Sequence, residues 1–151
     1  EGVPRMLDLF ERLGIRASIF FSFGPDNSGK AIRRIFRKGF LTKMLRTKAP
    51  STYGFKALLY GTLLPAPQSV EQDPEILKRA HQKGHECGTH AWDHVRWQDE
   101  LQRMDCSSIR DEFAKARKLF KEIIGADATC CAAPGLQVTA NSLEVQVAAS
   151  T

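Results

Sequence analysis

The chain has 151 residues, 42% of them hydrophobic and 26% charged, with 22 Lys and Arg against 17 Asp and Glu and a net charge of +5. That length supports a single core of ordinary size, and the balance of apolar and charged residues is that of a globular domain. No apolar run approaches the roughly 20 residues that cross a bilayer, which excludes a spanning helix. The charge is unevenly placed. Between Asn27 and Val70 there are nine Lys and Arg and no acid, leaving 13 basic against 17 acidic residues elsewhere. The basic character therefore belongs to one segment.

In chain order, the first predicted helix starts at Val3 or Pro4 and runs to Leu13. Pro4 suits a first turn, Leu7, Phe10 and Leu13 share a face, and Gly14 can end it. Ala17 to Phe23 is rich in β-formers and reads as a mostly buried strand, followed by a turn at Gly24-Pro25-Asp26-Asn27. A second helix is capped by Asp73, carries Pro74 at its first position, faces Ile76, Leu77 and Ala80 inward, and stops at Gly84. His85 to Thr89 is the next strand. Ser108 to Ile124 is the best-marked helix, with Ser108 and Asp111 as a capping pair and Ile109, Phe113, Ala116, Phe120 and Ile123 at core spacing. Thr129 to Ala133 is a third short strand, broken by Pro134-Gly135. Alternating strands and helices predict an α/β fold with a parallel sheet or barrel. Cys87, Cys106, Cys130 and Cys131 form no C-x-x-C pair and read as reduced thiols in the cytosol. Glu1 and the charge-broken start predict no leader peptide.

The most informative string is Gly84-His85-Glu86-Cys87-Gly88-Thr89-His90-Ala91-Trp92-Asp93-His94. His90 and His94 lie four apart, and their imidazoles can converge on one divalent metal, zinc or similar, if the backbone turns between them. The plain alternative is a pair of surface histidines at a helix start. This string resembles the second motif of the NodB-type polysaccharide deacetylases. Gly2-Val3-Pro4-Arg5, Phe20-Phe21-Ser22-Phe23-Gly24-Pro25-Asp26-Asn27, Ser51-Thr52-Tyr53-Gly54 and Ala132-Ala133-Pro134-Gly135 resemble one branch. That branch is the 4-deoxy-4-formamido-L-arabinose-phosphoundecaprenol deformylases, which prepare aminoarabinose for lipid A modification. The likeness runs from Glu1 to about Asn141.

The resemblance implies a partial (β/α) barrel over 1–151, incomplete at both ends, with the basic amphipathic segment 27–70 as a helical insertion. It implies hydrolysis of an N-formyl or other N-acyl group on a lipid-linked sugar, in which a metal polarises the amide carbonyl and a carboxylate takes a proton from water. His90 and His94 would be the two His ligands. The family's Asp ligand and general base lie on a strand expected upstream of Glu1, and its later acidic and His motifs beyond Thr151, so the chain by itself is expected to be inactive. Trp92, Pro134 and Gly135 are expected at the substrate groove, where Ala132 stands in place of the Arg of many relatives. Asp93 is expected to serve as a cap or hydrogen-bond partner and not as a base.

The basic segment interleaves Ile32, Ile35, Phe36, Phe40 and Leu41 with cations that include Arg33, Arg34, Arg37 and Lys38. These four are expected to bind an anionic membrane surface, placing the protein in the cytoplasm at the periphery of the inner membrane. A solvated charged face is the plain alternative. Nucleic acid is not an expected partner, since no helix-turn-helix, aromatic platform or zinc module is present. A zinc peptidase with Asp93 in the place of Glu would need His90 to His94 on one long helix. An inactive membrane-binding module and another carbohydrate N-deacetylase remain as alternatives. Oligomeric state is left open.

Overall fold

The computed structural model describes residues 2–27, 70 and 73–149. The segment 27–70, expected to carry amphipathic helices and Arg33, Arg34, Arg37 and Lys38, lies outside the described residues except at its two ends. Both ends, Asn27 and Val70, are buried.

Helix α1 is Gly2–Leu13, with Leu7 buried but Leu13 60% exposed, so the expected apolar stripe faces the core only in part. Strand β1 is Ser18–Phe21, shorter and more exposed than expected. Helix α2 is Pro74–Gln82 with Leu77 and Ala80 buried. Pro74 takes a first-turn position as expected, whereas the Asp73 side chain makes no capping bond. Its backbone carbonyl instead accepts from the Ile76 N–H at 3.3 Å. Strand β2 is Glu86–Thr89 and pairs in parallel with β1, from Ser18 opposite Glu86 to Phe21 opposite Thr89. Parallel neighbours need a crossover, and α2 lies on it.

The third strand expected over Thr129 to Ala133 reduces to one parallel bridge, Thr89 with Cys131. It is closed by Thr89 N–H to the Cys130 carbonyl at 3.1 Å and Ala132 N–H to the Thr89 carbonyl at 2.9 Å. Pro134 follows at once and has no N–H with which to extend the ladder. Gly88 permits this approach: a Cβ there would lie 2.6 Å from the Cys130 carbonyl oxygen.

Helix α3 is His94–Glu100 and tightens into a 3-10 turn at Leu101–Arg103. Helix α4 is Cys106–Ile124. It begins two residues earlier than its periodicity suggests, because the Asp105 carboxylate accepts the Ser108 N–H at 2.8 Å and takes the place of the expected Ser108–Asp111 pair. A short 3-10 turn, Pro134–Leu136, precedes helix α5, Ala140–Ala148, whose start is a reciprocal Thr139–Ser142 capping box.

Two apolar cores result. One gathers Leu7, Phe23, Val70, Leu77, Ala80 and Cys87 beneath α1 and α2. The other gathers Ala91, Trp97, Leu101, Met104 and Val145 around α3 and α5. Helix α4 joins them, with Ile109 and Phe113 in the second and Ala116 and Phe120 in the first. No helix among the described residues is long and apolar enough to cross a membrane.

Candidate metal centre

The two histidines meet where β2 ends and α3 begins. His90 follows the last residue of β2, and its N–H donates to the Phe21 carbonyl at 2.8 Å, continuing the pairing with β1. Ala91 then takes a left-handed conformation, φ 57°, which reverses the chain. Asp93 is extended and caps α3, and His94 is the first residue of that helix. The turn between the imidazoles is thus made by a strand end, a left-handed residue and a capped helix start. The rings nevertheless converge, with centroids 5.1 Å apart and planes inclined at 50°. Because His90 lies outside the helix, the zinc-peptidase arrangement is absent.

The tautomer of His90 follows from its neighbour. Its Nδ1 lies 2.9 Å from the Ala132 carbonyl oxygen. A carbonyl only accepts, so Nδ1 carries the proton and, in the neutral ring, Nε2 keeps the lone pair. An imidazole oriented by a carbonyl on one nitrogen is the arrangement in which the other commonly binds a metal. The residues present therefore fit a metal as two ligands of a larger set. Among the described residues, no group of three His, Cys, Asp or Glu is placed to hold an ion.

The strings from Phe20 to Asn27 and from His90 to His94 form one structure. Gly24 N–H donates to the Trp92 carbonyl at 2.8 Å, and the Ser22 hydroxyl to the His90 carbonyl at 3.1 Å. The Asn27 amide donates to Asp93 Oδ2 at 2.5 Å. Glycine is required at position 24, since a Cβ would lie 2.6 Å from the Trp92 carbonyl oxygen and 2.8 Å from its indole. Phe23, fully buried, anchors this turn from below.

Asp93 takes the structural role expected of it. Oδ1 accepts the N–H groups of Val95 at 3.0 Å and Arg96 at 2.9 Å, while Oδ2 takes Asn27. Trp92 is half-buried against the first core. Pro134 is fully buried and Gly135 is exposed with φ 62°. The turn they form is tied to α3 by the Trp97 indole N–H, which donates to the Gln137 carbonyl at 3.1 Å.

Two participants escape sequence reasoning. One is the Ala132 carbonyl, a backbone atom with no residue-type signal. The other is Glu112 on α4, only 2% exposed. Its Oε2 accepts the Asp93 N–H at 3.1 Å and its Oε1 accepts Arg96 Nη1 at 2.7 Å. A signal for it existed: Glu112 falls on the apolar face, between Ile109 and Ala116 at helical spacing. Burial works against the charge of Arg96, but hydrogen bonding to Glu100 and the charge of Glu112 outweigh it and hold the guanidinium above its ordinary value. The four cysteines are free, and burial, aided by Cys130 and Glu86, pushes the Cys87 thiol up to about 11.

The sequence pattern of the polysaccharide deacetylases matches residues 51–150. A probable 4-deoxy-4-formamido-L-arabinose-phosphoundecaprenol deformylase of Shewanella sediminis is 43% identical over 143 residues, 95% of this chain and 47% of that protein. A protein of the same description from Wigglesworthia glossinidia brevipalpis is 32% identical over 89% of this chain and 46% of its own length. The chain thus spans about half the length of the curated relatives it matches. Among solved structures, a family 4 carbohydrate esterase from Streptomyces lividans in complex with acetate superimposes with a TM-score of 0.60 at 11% identity, over 99% of this chain and 54% of that one. At that identity the likeness is one of fold, and the arrangement here is that of a partial (β/α) barrel.

Proposed function

The chain belongs to the polysaccharide deacetylase family, and we propose that it is part of a metal-dependent deformylase that removes the N-formyl group from an undecaprenyl-phosphate-linked 4-amino-4-deoxy-arabinose. The observation that carries this reading is the convergence of His90 and His94, with His90 oriented by the Ala132 carbonyl. The names of the two relatives support the substrate class. His90, through Nε2, and His94 would be two protein ligands of a divalent ion, which when bound supplies Lewis-acid polarisation of the amide carbonyl. Asp93 is engaged by three donors and holds the loop. Gly135, exposed beside the Ala132 carbonyl segment, is the candidate to offer a backbone N–H to the developing oxyanion. Trp92 is the candidate to shape the neighbouring wall of the groove.

In this reading the 27–70 segment, through Arg33, Arg34, Arg37 and Lys38, docks the protein on the anionic cytoplasmic face of the inner membrane, where a lipid-phosphate sugar resides. The product would serve lipid A modification and resistance to cationic peptides. The competing reading, an inactive membrane-surface module, is separated by one assay. Formate release from the formamido-sugar lipid should be supported by the protein that carries this chain. It should fall roughly 100-fold or more in His90→Ala or His94→Ala, because each removes a ligand from the ion. Undiminished turnover in either variant would sink the metal role of the pair. The 151-residue chain alone should release little formate, since two imidazoles fall short of the three protein ligands usual for a catalytic site.

A further inference from the structure

Glu112 is a buried carboxylate for which packing gives no reason. Its neighbours on the core face of α4 are Ile109, Phe113 and Ala116, and an apolar side chain in its place would fill the same space without a desolvation cost. What the carboxylate does that an apolar group cannot is accept two donors at once. Those donors are the Asp93 backbone N–H and the Arg96 guanidinium. They stand on either side of His94, one residue before it and two after. Asp93 in turn fixes the first turn of α3 through the Val95 and Arg96 N–H groups, and the Asn27 amide holds its second oxygen. The anchors of His90 are different: the Phe21 carbonyl, the Ser22 hydroxyl and the Ala132 carbonyl. The His90 imidazole is thus tied to the strand segments, and the chain on either side of His94 is tied to α4.

We propose that Glu112 is a positioning residue that sets the distance and inclination of the His94 ring relative to His90, through its simultaneous grip on Asp93 and Arg96. The proposal deepens the metal reading above and rests on it for its purpose, but its geometry stands in the metal-free protein. Replacing Glu112 by Gln keeps the shape and leaves an amide oxygen able to serve only one of the two donors, while its NH2 faces the other. The first turn of α3 then loses one of its two ties to α4, and the ring spacing relaxes.

The test is histidine-ring NMR on 15N-labelled protein, followed by a Zn2+ titration. His81 and His85 are internal controls. His81 lies on α2, and His85 is held by the Ala17 N–H at 3.2 Å and by Phe10. In metal-free Glu112→Gln, the His94 and His90 ring signals should shift or broaden while those of His81 and His85 stay in place. Zn2+ affinity should fall about 10–100-fold. Should Glu112→Gln fail to fold, Asn27→Ala serves instead. It removes the bond to Asp93 Oδ2 and should give the same selective change, with a smaller loss of affinity. Ring signals for all four histidines that match the parent, or that all move together, would overturn the proposal, since a purely structural role would not single out the pair. A parent whose His90 and His94 signals ignore Zn2+ would overturn the metal reading alone.

Discussion

The half of the molecule built on α1 and α2 and the half built on α3 to α5 use charge in opposite ways. In the first, no Asp, Glu, Lys or Arg among the described residues is buried, and charge lies outside. Arg79 pairs with Asp8 and Glu11, and Lys83 with Glu11, all with side chains at least 37% exposed. In the second, Glu112 and Asp93 are buried and the Arg96 guanidinium reaches inward to Glu112. Exposed pairs contribute little because water screens them, whereas a buried charge that loses its partner is costly. The first half can exchange its charges freely. The second cannot, and it is the half that positions His94.

The largest effect that would test this contrast comes from Arg96→Ala. It leaves the Glu112 carboxylate buried with the Asp93 N–H as its remaining donor. The expected loss is about 3 kcal/mol by chemical denaturation, toward the low end for a broken buried pair because Arg96 is itself partly exposed. A loss no larger than that of an ordinary surface substitution would break the comparison.

A smaller effect belongs to the first core and is set by pH. The Cys87 thiol, at about 11, lies above its ordinary value of 9.0 because burial disfavours the thiolate. The unfolded chain therefore ionises first as pH rises. The stability that the neutral thiol contributes is complete below pH 9 and is lost as pH climbs through 11. Thermal melts between these limits should fall for the parent and fall less for Cys87→Ala. Parallel curves would show that this thiol is not the titrating group.

The smallest effect should come from Arg79→Ala. Its pKa is raised chiefly by the hydrogen bond to Asp8, yet the pair lies at the surface, with the Arg79 side chain 37% exposed. Melting temperature should be unchanged within error and insensitive to salt. A shift comparable to that of Arg96→Ala would mean that the exposed pairs hold α1 to α2.

The strings from Phe20 to Asn27 and from His90 to His94 mark the candidate site in the sequence, and the basic run and the α4 periodicity are equally plain there. Some of the misses are instructive. Periodicity places the start of α4 at Ser108, because Asp105 lies outside the apolar repeat, yet capping depends on one carboxylate and one N–H and not on repeat. The third strand meets Pro134 before it can extend its ladder. Glu112 sits in an apolar stripe where a lone charge reads as an exception; its partners belong to another helix and cannot be read from its own.

Helices α1, α2 and α4 and the cores of β1 and β2 were legible in the sequence because their patterns depend on near neighbours along the chain, and the histidine pair because its members are four apart; α3 and α5, which were not predicted, carry no comparable stripe. The tertiary structure alone decided what holds that pair. Asn27 reaches Asp93 across 66 positions, Ala132 reaches His90 across 42, and Arg96 reaches Glu112 across 16. Contacts at such separations leave no periodic trace in the chain. They arise only when packing of the two cores on α4 brings the strand end, the helix start and the buried carboxylate to one place.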